Sequence, residues 1–128
     1  MTTGPITILL VEDDSLLREA FRMLLEDAGY DVKEAGSAAE ALAAVDPTPP
    51  ALVLLDLGLP DRSGLDVVRE LRARTDMRSV PIVALTGRSG PDERKRCLEA
   101  GCSDFLAKPV EPFELLRRVP ELLQNRPA

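Results

Sequence analysis

A small set of side chains in this sequence has the types that handle phosphate groups and hard metal ions. Glu12, Asp13 and Asp14 follow the apolar run ITILLV, Asp56 ends the run ALVLLD, Thr86 follows IVAL, and Lys108 precedes Pro109. Brought together, the carboxylates would repel one another, and one would resist ionising unless a cation were present. Oxygen ligands of this kind suit a hard divalent ion. Mg²⁺ characteristically takes one or two carboxylates and keeps waters and phosphate oxygens for the rest of its shell. Lys108 would add a point positive charge and Thr86 a hydroxyl donor. These are the parts for phosphoryl transfer, where catalysis is mostly positioning and charge neutralisation. An aspartate can act as the nucleophile and become an aspartyl phosphate. Taken singly, each residue also has a plainer use: acids after a strand cap helices, Asp14 above all, and a Lys-Pro pair makes a turn.

What must position these groups can be read from the apolar pattern. The runs 6–11, 30–37, 51–56, 80–87 and 103–109 are short and apolar or β-branched, and read as strands. Between and after them lie helical patterns at 16–29, 37–45, 63–74, 91–101 and 112–123. The first carries Leu16, Leu17, Ala20, Phe21, Leu24, Leu25 and Ala28 at helical spacing, with Asp14 or Ser15 as its cap and Gly29 past its end. Ser37 caps the second, and Glu40 completes a possible capping box. The fourth is very polar, with little apolar surface to bury, mainly Cys97 and Leu98, and Pro91 and Gly101 mark its two ends. Pro120 falls inside the last helix and should kink or shorten it, at a cost of up to about 3 kcal/mol in an unadapted helix. QNRPA at 124–128 reads as a fraying tail.

Strand and helix thus alternate five times, which implies a parallel sheet covered by helices on both faces. The fold class expected is α/β: one doubly wound (βα)5 flavodoxin-like domain over residues 1–128, with strand order 2-1-3-4-5 and no separate output domain. In such a sheet all strands end on the same edge, and ligands bind where the order reverses, between strands one and three. Glu12, Asp13, Asp56, Thr86 and Lys108 all follow strand ends, so they should converge there.

Composition excludes several other chemistries. The chain has 128 residues and no histidine, which removes His-based triads, imidazole metal ligands and a phosphohistidine carrier. A net charge of -6 and few aromatics argue against a nucleic-acid surface. No apolar stretch is long enough to cross a bilayer and the start lacks a signal-type pattern, so a cytoplasmic protein is expected. Cys97 and Cys102 read as small buried residues rather than a disulfide. The glycines form neither G-x-x-x-x-G-K-[ST] nor G-x-G-x-x-G after a strand.

The stretches ILLVEDD, LVLLDLGLPDRSG, PIVALTG and AGCSDFLAKPV, in this order and spacing, resemble the receiver domain of bacterial two-component response regulators over nearly the whole chain. The resemblance implies a phosphorylation-controlled signalling switch rather than an enzyme. Asp56 would be the phosphoacceptor and Mg²⁺ the cofactor, held by Glu12, Asp13, Asp56 and the Gly58 carbonyl. Lys108 would contact the phosphoryl group, and its bond to Pro109 is expected to be cis. Thr86 and Phe105 would relay the change to the face made by the fourth helix, fifth strand and fifth helix, where a downstream protein target binds. The phosphoryl donor would be a phosphohistidine on a histidine kinase or a His-phosphotransfer protein. Neither nucleic acid nor membrane is implied as a partner. Gly58 and Gly64 are expected to let the loop after Asp56 turn tightly, and Gly87 to leave the acyl phosphate accessible. Pro120 puts in doubt a dimer formed through the last helix.

Two rivals are weaker. A phosphatase with an aspartyl nucleophile, of the haloacid-dehalogenase kind, needs a second Asp where this chain has Gly58, and a cap domain besides. A flavodoxin-like cofactor binder wants a phosphate loop after the first strand, and acids stand there instead.

Overall fold

Alternating side-chain direction along five short strands decides which helices this chain packs where. The computed structural model describes residues 5–88 and 90–124, so most of the expected 124–128 tail lies outside the described residues. The strands are β1 (Thr7–Val11), β2 (Asp31–Ala35), β3 (Leu52–Asp56), β4 (Ile82–Thr86) and β5 (Asp104–Ala107). They pair in parallel in the order β2-β1-β3-β4-β5, as expected. The helices are α1 (Ser15–Asp27), α2 (Ala38–Ala44), α3 (Gly64–Ala73), α4 (Pro91–Ala100) and α5 (Pro112–Gln124). A 3-10 turn at Thr75–Met77, not anticipated from the sequence, buries Met77 beneath α3.

Every residue of β3 and β4 is buried, so helices must cover both faces of the sheet. Ile8, Leu10, Leu52, Leu54 and Val83 face one layer with Phe21 and Leu25 of α1 and Leu115, Val119 and Leu122 of α5. Leu9, Val11, Val53, Leu55, Ile82 and Ala84 face the other, with α2, α3 and α4. Period-two alternation therefore persists where composition hides it. On α1 the buried stripe is narrower than the apolar pattern: Phe21 and Leu25 are buried, but Leu16, Ala20 and Ala28 are exposed. The reason is that α1 lies over one edge of the sheet and touches chiefly β2 and α5.

Caps fix the helix starts. Asp14, not Ser15, caps α1, accepting from Leu16 N and Leu17 N at 3.0 and 3.2 Å. Ser37 accepts from Glu40 N, while Glu40 reaches back to Gly36 N at 2.8 Å, one residue before the usual capping-box partner. Glu111 caps α5 through both oxygens, to Phe113 N and Glu114 N. At the far edge of the sheet Arg72 of α3 donates to the carbonyls of Gly101, Met77 and Val80 and to Ser103 Oγ, tying α3 to the end of α4. Gly101 has φ +115°, and a Cβ there would lie 2.6 Å from Arg72 Cγ, so the position rejects other residues twice over.

Two sequence expectations need correction. Pro120 does not shorten the last helix, which runs through it to Gln124. Its ring is exposed while Val119 and Leu122 hold the buried face, so the one hydrogen bond it cannot give is lost on the outside. On α4, Leu98 is 48% exposed, and Glu93 is buried instead, in a stripe with Cys97 and Ala100.

Gly64, at the start of α3, lies against the end of β3. A Cβ there would stand 2.6 Å from Leu57 Cα and 2.8 Å from the Asp56 carbonyl oxygen, both backbone atoms that cannot swing aside. Close approach, not an unusual dihedral, is what demands glycine, since the positive-φ glycines are Gly29, Gly90 and Gly101. Gly64→Ala should therefore destabilise the fold by about 1–3 kcal/mol through overpacking, although alanine is the better helix former. Urea unfolding of the two proteins measures it, and an unchanged or raised midpoint would contradict the close-packing account.

Candidate functional site

Continuing the strand alternation by one residue places the chemistry. Glu12 follows Ile8 and Leu10, Asp56 follows Leu52 and Leu54, and Lys108 follows Leu106, all on the α1–α5 side. Thr86 and Phe105 fall on the opposite side with Ile82, Ala84 and α4. The structure brings Glu12, Asp13, Asp56, Gly58, Thr86 and Lys108 around one cleft of about 750 Å³ at the C-terminal edge of the sheet. Phe105 does not line it. That half-buried ring packs on the core beyond Thr86, with the Arg94 guanidinium 5.8 Å above it.

Asp56 is buried, and its oxygens are separately engaged. Oδ1 accepts from Gly58 N at 2.9 Å, and Oδ2 lies 2.9 Å from Lys108 Nζ. Burial alone would depress the Lys108 pKa, but the hydrogen bond and charge of Asp56, with Glu12 and Asp13 adding, raise it above the ordinary lysine value. The Lys108 backbone is fixed too, since its N–H donates to the Thr86 carbonyl at 2.7 Å. The Lys108–Pro109 bond is cis, as expected, and so is Asp46–Pro47, which was not.

Glu12 is 1% exposed. Burial, with nearby Asp56 adding, pushes its carboxyl up to about 7, against the opposing effects of the Asp14 N–H, which donates to Oε2, and of the Lys108 charge. Its Oε1 is buried with no hydrogen-bond partner, and Lys108 Nζ at 3.8 Å is too distant to be one. A buried carboxylate oxygen without a hydrogen-bond donor is free to take a metal cation. One oxygen from each of Glu12, Asp13 and Asp56 lies within 4.8 Å of the others. An all-oxygen acidic donor set of that size fits a hard divalent ion. A Cβ on Gly58 would meet only Asp56 Oδ1, at 3.7 Å, so the tight-turn role expected of this glycine is not what the packing requires. The Gly58–Ser63 bridge closes the loop after Asp56 instead.

Thr86 is buried, accepts from Arg88 N at 3.1 Å, and donates its hydroxyl to Glu93 Oε2 at 2.8 Å. Gly87 has open space where a side chain would project, in keeping with the access expected there. Two residues of the site's surroundings escaped the sequence reading. Glu93 is one, and its signal was available: 93, 97 and 100 form the only helical stripe α4 could bury. Asp61 is the other. From the loop after Asp56 it accepts from Ala38 N and Ala39 N at 2.8 and 3.1 Å, which holds its carboxyl below the usual range and ties the loop to the start of α2. No local pattern marks a contact between residues so far apart in sequence.

Comparison with known proteins agrees with this geometry. Residues 8–120 match the family model of the response regulator receiver domain. The DNA-binding response regulator MtrA of Mycobacterium tuberculosis is 43% identical over 119 residues, which are 93% of this chain and 51% of MtrA. The phosphate regulon transcriptional regulatory protein PhoB of Pseudomonas aeruginosa is 36% identical over 119 residues, 93% of this chain and 52% of PhoB. The chain thus spans about half the length of these curated relatives. Among solved structures, the chemotaxis response regulator CheY4 of Vibrio cholerae superposes with a TM-score of 0.88 at 27% identity, covering 93% of this chain and 99% of CheY4. The receiver domain of a Pseudomonas aeruginosa sensor histidine kinase, described with a magnesium ion coordinated in its active-site cleft, superposes with a TM-score of 0.83 at 33% identity, covering 94% and 98%. On its sequence, its strand order and the match along its length, the chain belongs to the receiver domains of two-component response regulators, which are phosphorylation-controlled switches.

Proposed function

We propose that Asp56 is the phosphoacceptor of this switch, that Mg²⁺ is its cofactor, and that the chain takes its phosphoryl group from a phosphohistidine on a kinase or phosphotransfer protein. One observation carries the reading: a buried aspartate, paired with a lysine at 2.9 Å, sits beside an unpartnered Glu12 oxygen in a cluster of carboxylates. In the transfer, a carboxylate oxygen of Asp56 attacks phosphorus, the P–N bond to the donor imidazole breaks, and an acyl phosphate forms. Gly58 N–H steadies the other oxygen. Lys108 leaves the carboxylate for a phosphoryl oxygen, and Thr86 donates to another. Glu12, Asp13, Asp56 and the Gly58 carbonyl would hold the ion, which supplies charge neutralisation at the phosphoryl oxygens when bound.

Phe105 and Thr86 lie on the α4 side of the sheet, which supports the face of α4, β5 and α5 as the output surface toward a protein target. The chain acts as an acceptor that is read by others rather than as a turnover catalyst; Gly58 stands where an aspartyl phosphatase would need its second acid. A net charge of -6 supports a protein rather than a nucleic-acid partner, and the DNA binding in MtrA's name belongs to a protein about twice as long as the matched stretch. Among the described residues no helix is long and apolar enough to cross a membrane, and a cytoplasmic site of action is part of this reading.

Acetyl phosphate with Mg²⁺ should add one phosphoryl group to the wild type and none to Asp56→Asn by intact-protein mass spectrometry. No Mg²⁺-dependent adduct on the wild type, or an equal one on the variant, overturns the assignment. Lys108→Ala should keep the fold but lose the chemical-shift changes that beryllium fluoride induces in α4, and unaltered changes would remove Lys108 from the site. The raised Glu12 carboxyl gives a pH prediction. Below about 7 it holds a proton that Mg²⁺ must displace, so Mg²⁺ affinity, read by titration calorimetry, should fall by up to about tenfold per pH unit below that point. Without metal the sign for folding is the reverse. The native state binds the proton more tightly than the unfolded chain, so Glu12's contribution to stability diminishes as pH rises from 4.5 through about 7.

A further inference from the structure

Thr86 has a single hydroxyl proton, and in this structure it is committed. It goes to Glu93 Oε2 at 2.8 Å, and the hydroxyl oxygen accepts from Arg88 N on its other side. Glu93 is not a surface acid that happens to lie near. It is 8% exposed, stands in the first turn of α4, and projects with Cys97 and Ala100 toward the sheet. Its second oxygen accepts from Arg96 Nη1 at 3.3 Å, and the Arg96 side chain is itself 54% exposed. Glu93, Arg96, Thr86 and Asp56 all line the same cleft.

A phosphoryl group on Asp56 needs a donor from the α4 side, and Thr86 is the hydroxyl there. One proton cannot serve two acceptors. Binding of the phosphoryl oxygen must therefore break the Thr86–Glu93 bond and leave a buried carboxylate oxygen without its partner. We propose that Glu93 is a positioning residue that holds Thr86 away from the acceptor, so that the strength of this one hydrogen bond sets how readily the site enters its phosphorylated arrangement. The inference rests on Asp56 as acceptor and Thr86 as phosphoryl donor-bond partner. It adds a residue on α4 whose release is the first event on the output side. A carboxylate in the first turn of a helix also favours the helix dipole, but Asp92 next to it does the same from an exposed position and touches no part of the cleft.

The test uses beryllium fluoride with Mg²⁺ as the phosphoryl probe, titrated against the whole chain. Glu93→Ala should lower the half-saturating concentration about tenfold, the size expected when a charge-assisted hydrogen bond no longer competes. Glu93→Gln, which keeps an uncharged acceptor of the same shape, should lower it less. Asp92→Asn should leave it unchanged. In a Thr86→Val background, which has no proton to compete for, Glu93→Ala and Glu93→Gln should both have no effect. In the free protein, the Thr86 methyl resonance should move in Glu93→Ala toward its beryllium-fluoride-bound position. Unchanged binding in both Glu93 variants overturns the proposal. So does a gain that persists in Thr86→Val, because Glu93 would then act through its charge or packing. If Glu93→Ala does not fold, as circular dichroism would report, the Gln variant and its Thr86→Val counterpart decide the matter alone. A wild type that binds no beryllium fluoride overturns the acceptor reading, and this inference with it. A wild type that binds normally while the Glu93 variants match it overturns the inference only.

Discussion

Everything in this protein depends on holding like charges together. Two carboxylates at the separation found among Glu12, Asp13 and Asp56 repel by roughly 3–4 kcal/mol at an effective dielectric of about 20. Side chains on flexible loops would drift apart. Here two of the three are buried at the ends of strands whose residues Ile8–Val11 and Leu52–Leu55 are locked into the core, and α1 begins just beyond Glu12 and Asp13. Lys108 is the internal answer to the repulsion, but it reaches Asp56 better than Glu12. The remaining deficit is visible as one unpartnered oxygen and one carboxyl whose pKa is raised into the neutral range. That deficit is what a divalent ion would relieve under the function proposed above.

The sheet also sorts roles by face. Asp56, the Lys108 ammonium and Glu12 rise on the side of α1 and α5, and Thr86 and Phe105 on the side of α4. The two sets are separated by the thickness of one backbone layer, and Thr86 still lines the cleft that holds Asp56. Its location at the last position of β4, hydrogen-bonded through its carbonyl to Lys108 N, keeps it in register with the acceptor whatever its side chain does.

Much of this was legible in the sequence because it follows from local patterns. Apolar run length, helical spacing and the glycines and prolines between them gave five strands and five helices, and the rule for parallel sheets carried Glu12, Asp13, Asp56, Thr86 and Lys108 to one edge. What could not be read has a common physical character. Arg72 to Gly101, Asp61 to Ala38 and Arg74 to Asp46 are polar contacts between residues more than twenty positions apart, and no periodicity encodes them. Leu98 was misjudged, and Glu93 overlooked, because hydrophobicity was weighed above position. In a helix with few apolar residues, the angular place of a residue decided burial, and the hydroxyl of Thr86 made a carboxylate admissible there. At Pro120 the chemistry was clear, but not that the exposed side of the helix would carry it and let the helix run on to Gln124.

The anchoring of α4 has a mechanical meaning. At its C-terminal end Arg72 grips the Gly101 carbonyl, and Cys102 N–H closes back on the Cys97 carbonyl. At the other end Gly90 offers no side-chain cap, and the Glu93 carboxylate is hydrogen-bonded to Thr86 at the sheet edge. A ten-residue helix is about 15 Å long at 1.5 Å per residue, and one fastened in this way is a lever with its pivot at Gly101. Displacement of its free end by less than a side chain's length would sweep Arg94 across Phe105 while leaving the pivot almost still. Under the function proposed above, a partner on this face would then read an angle, not a distance.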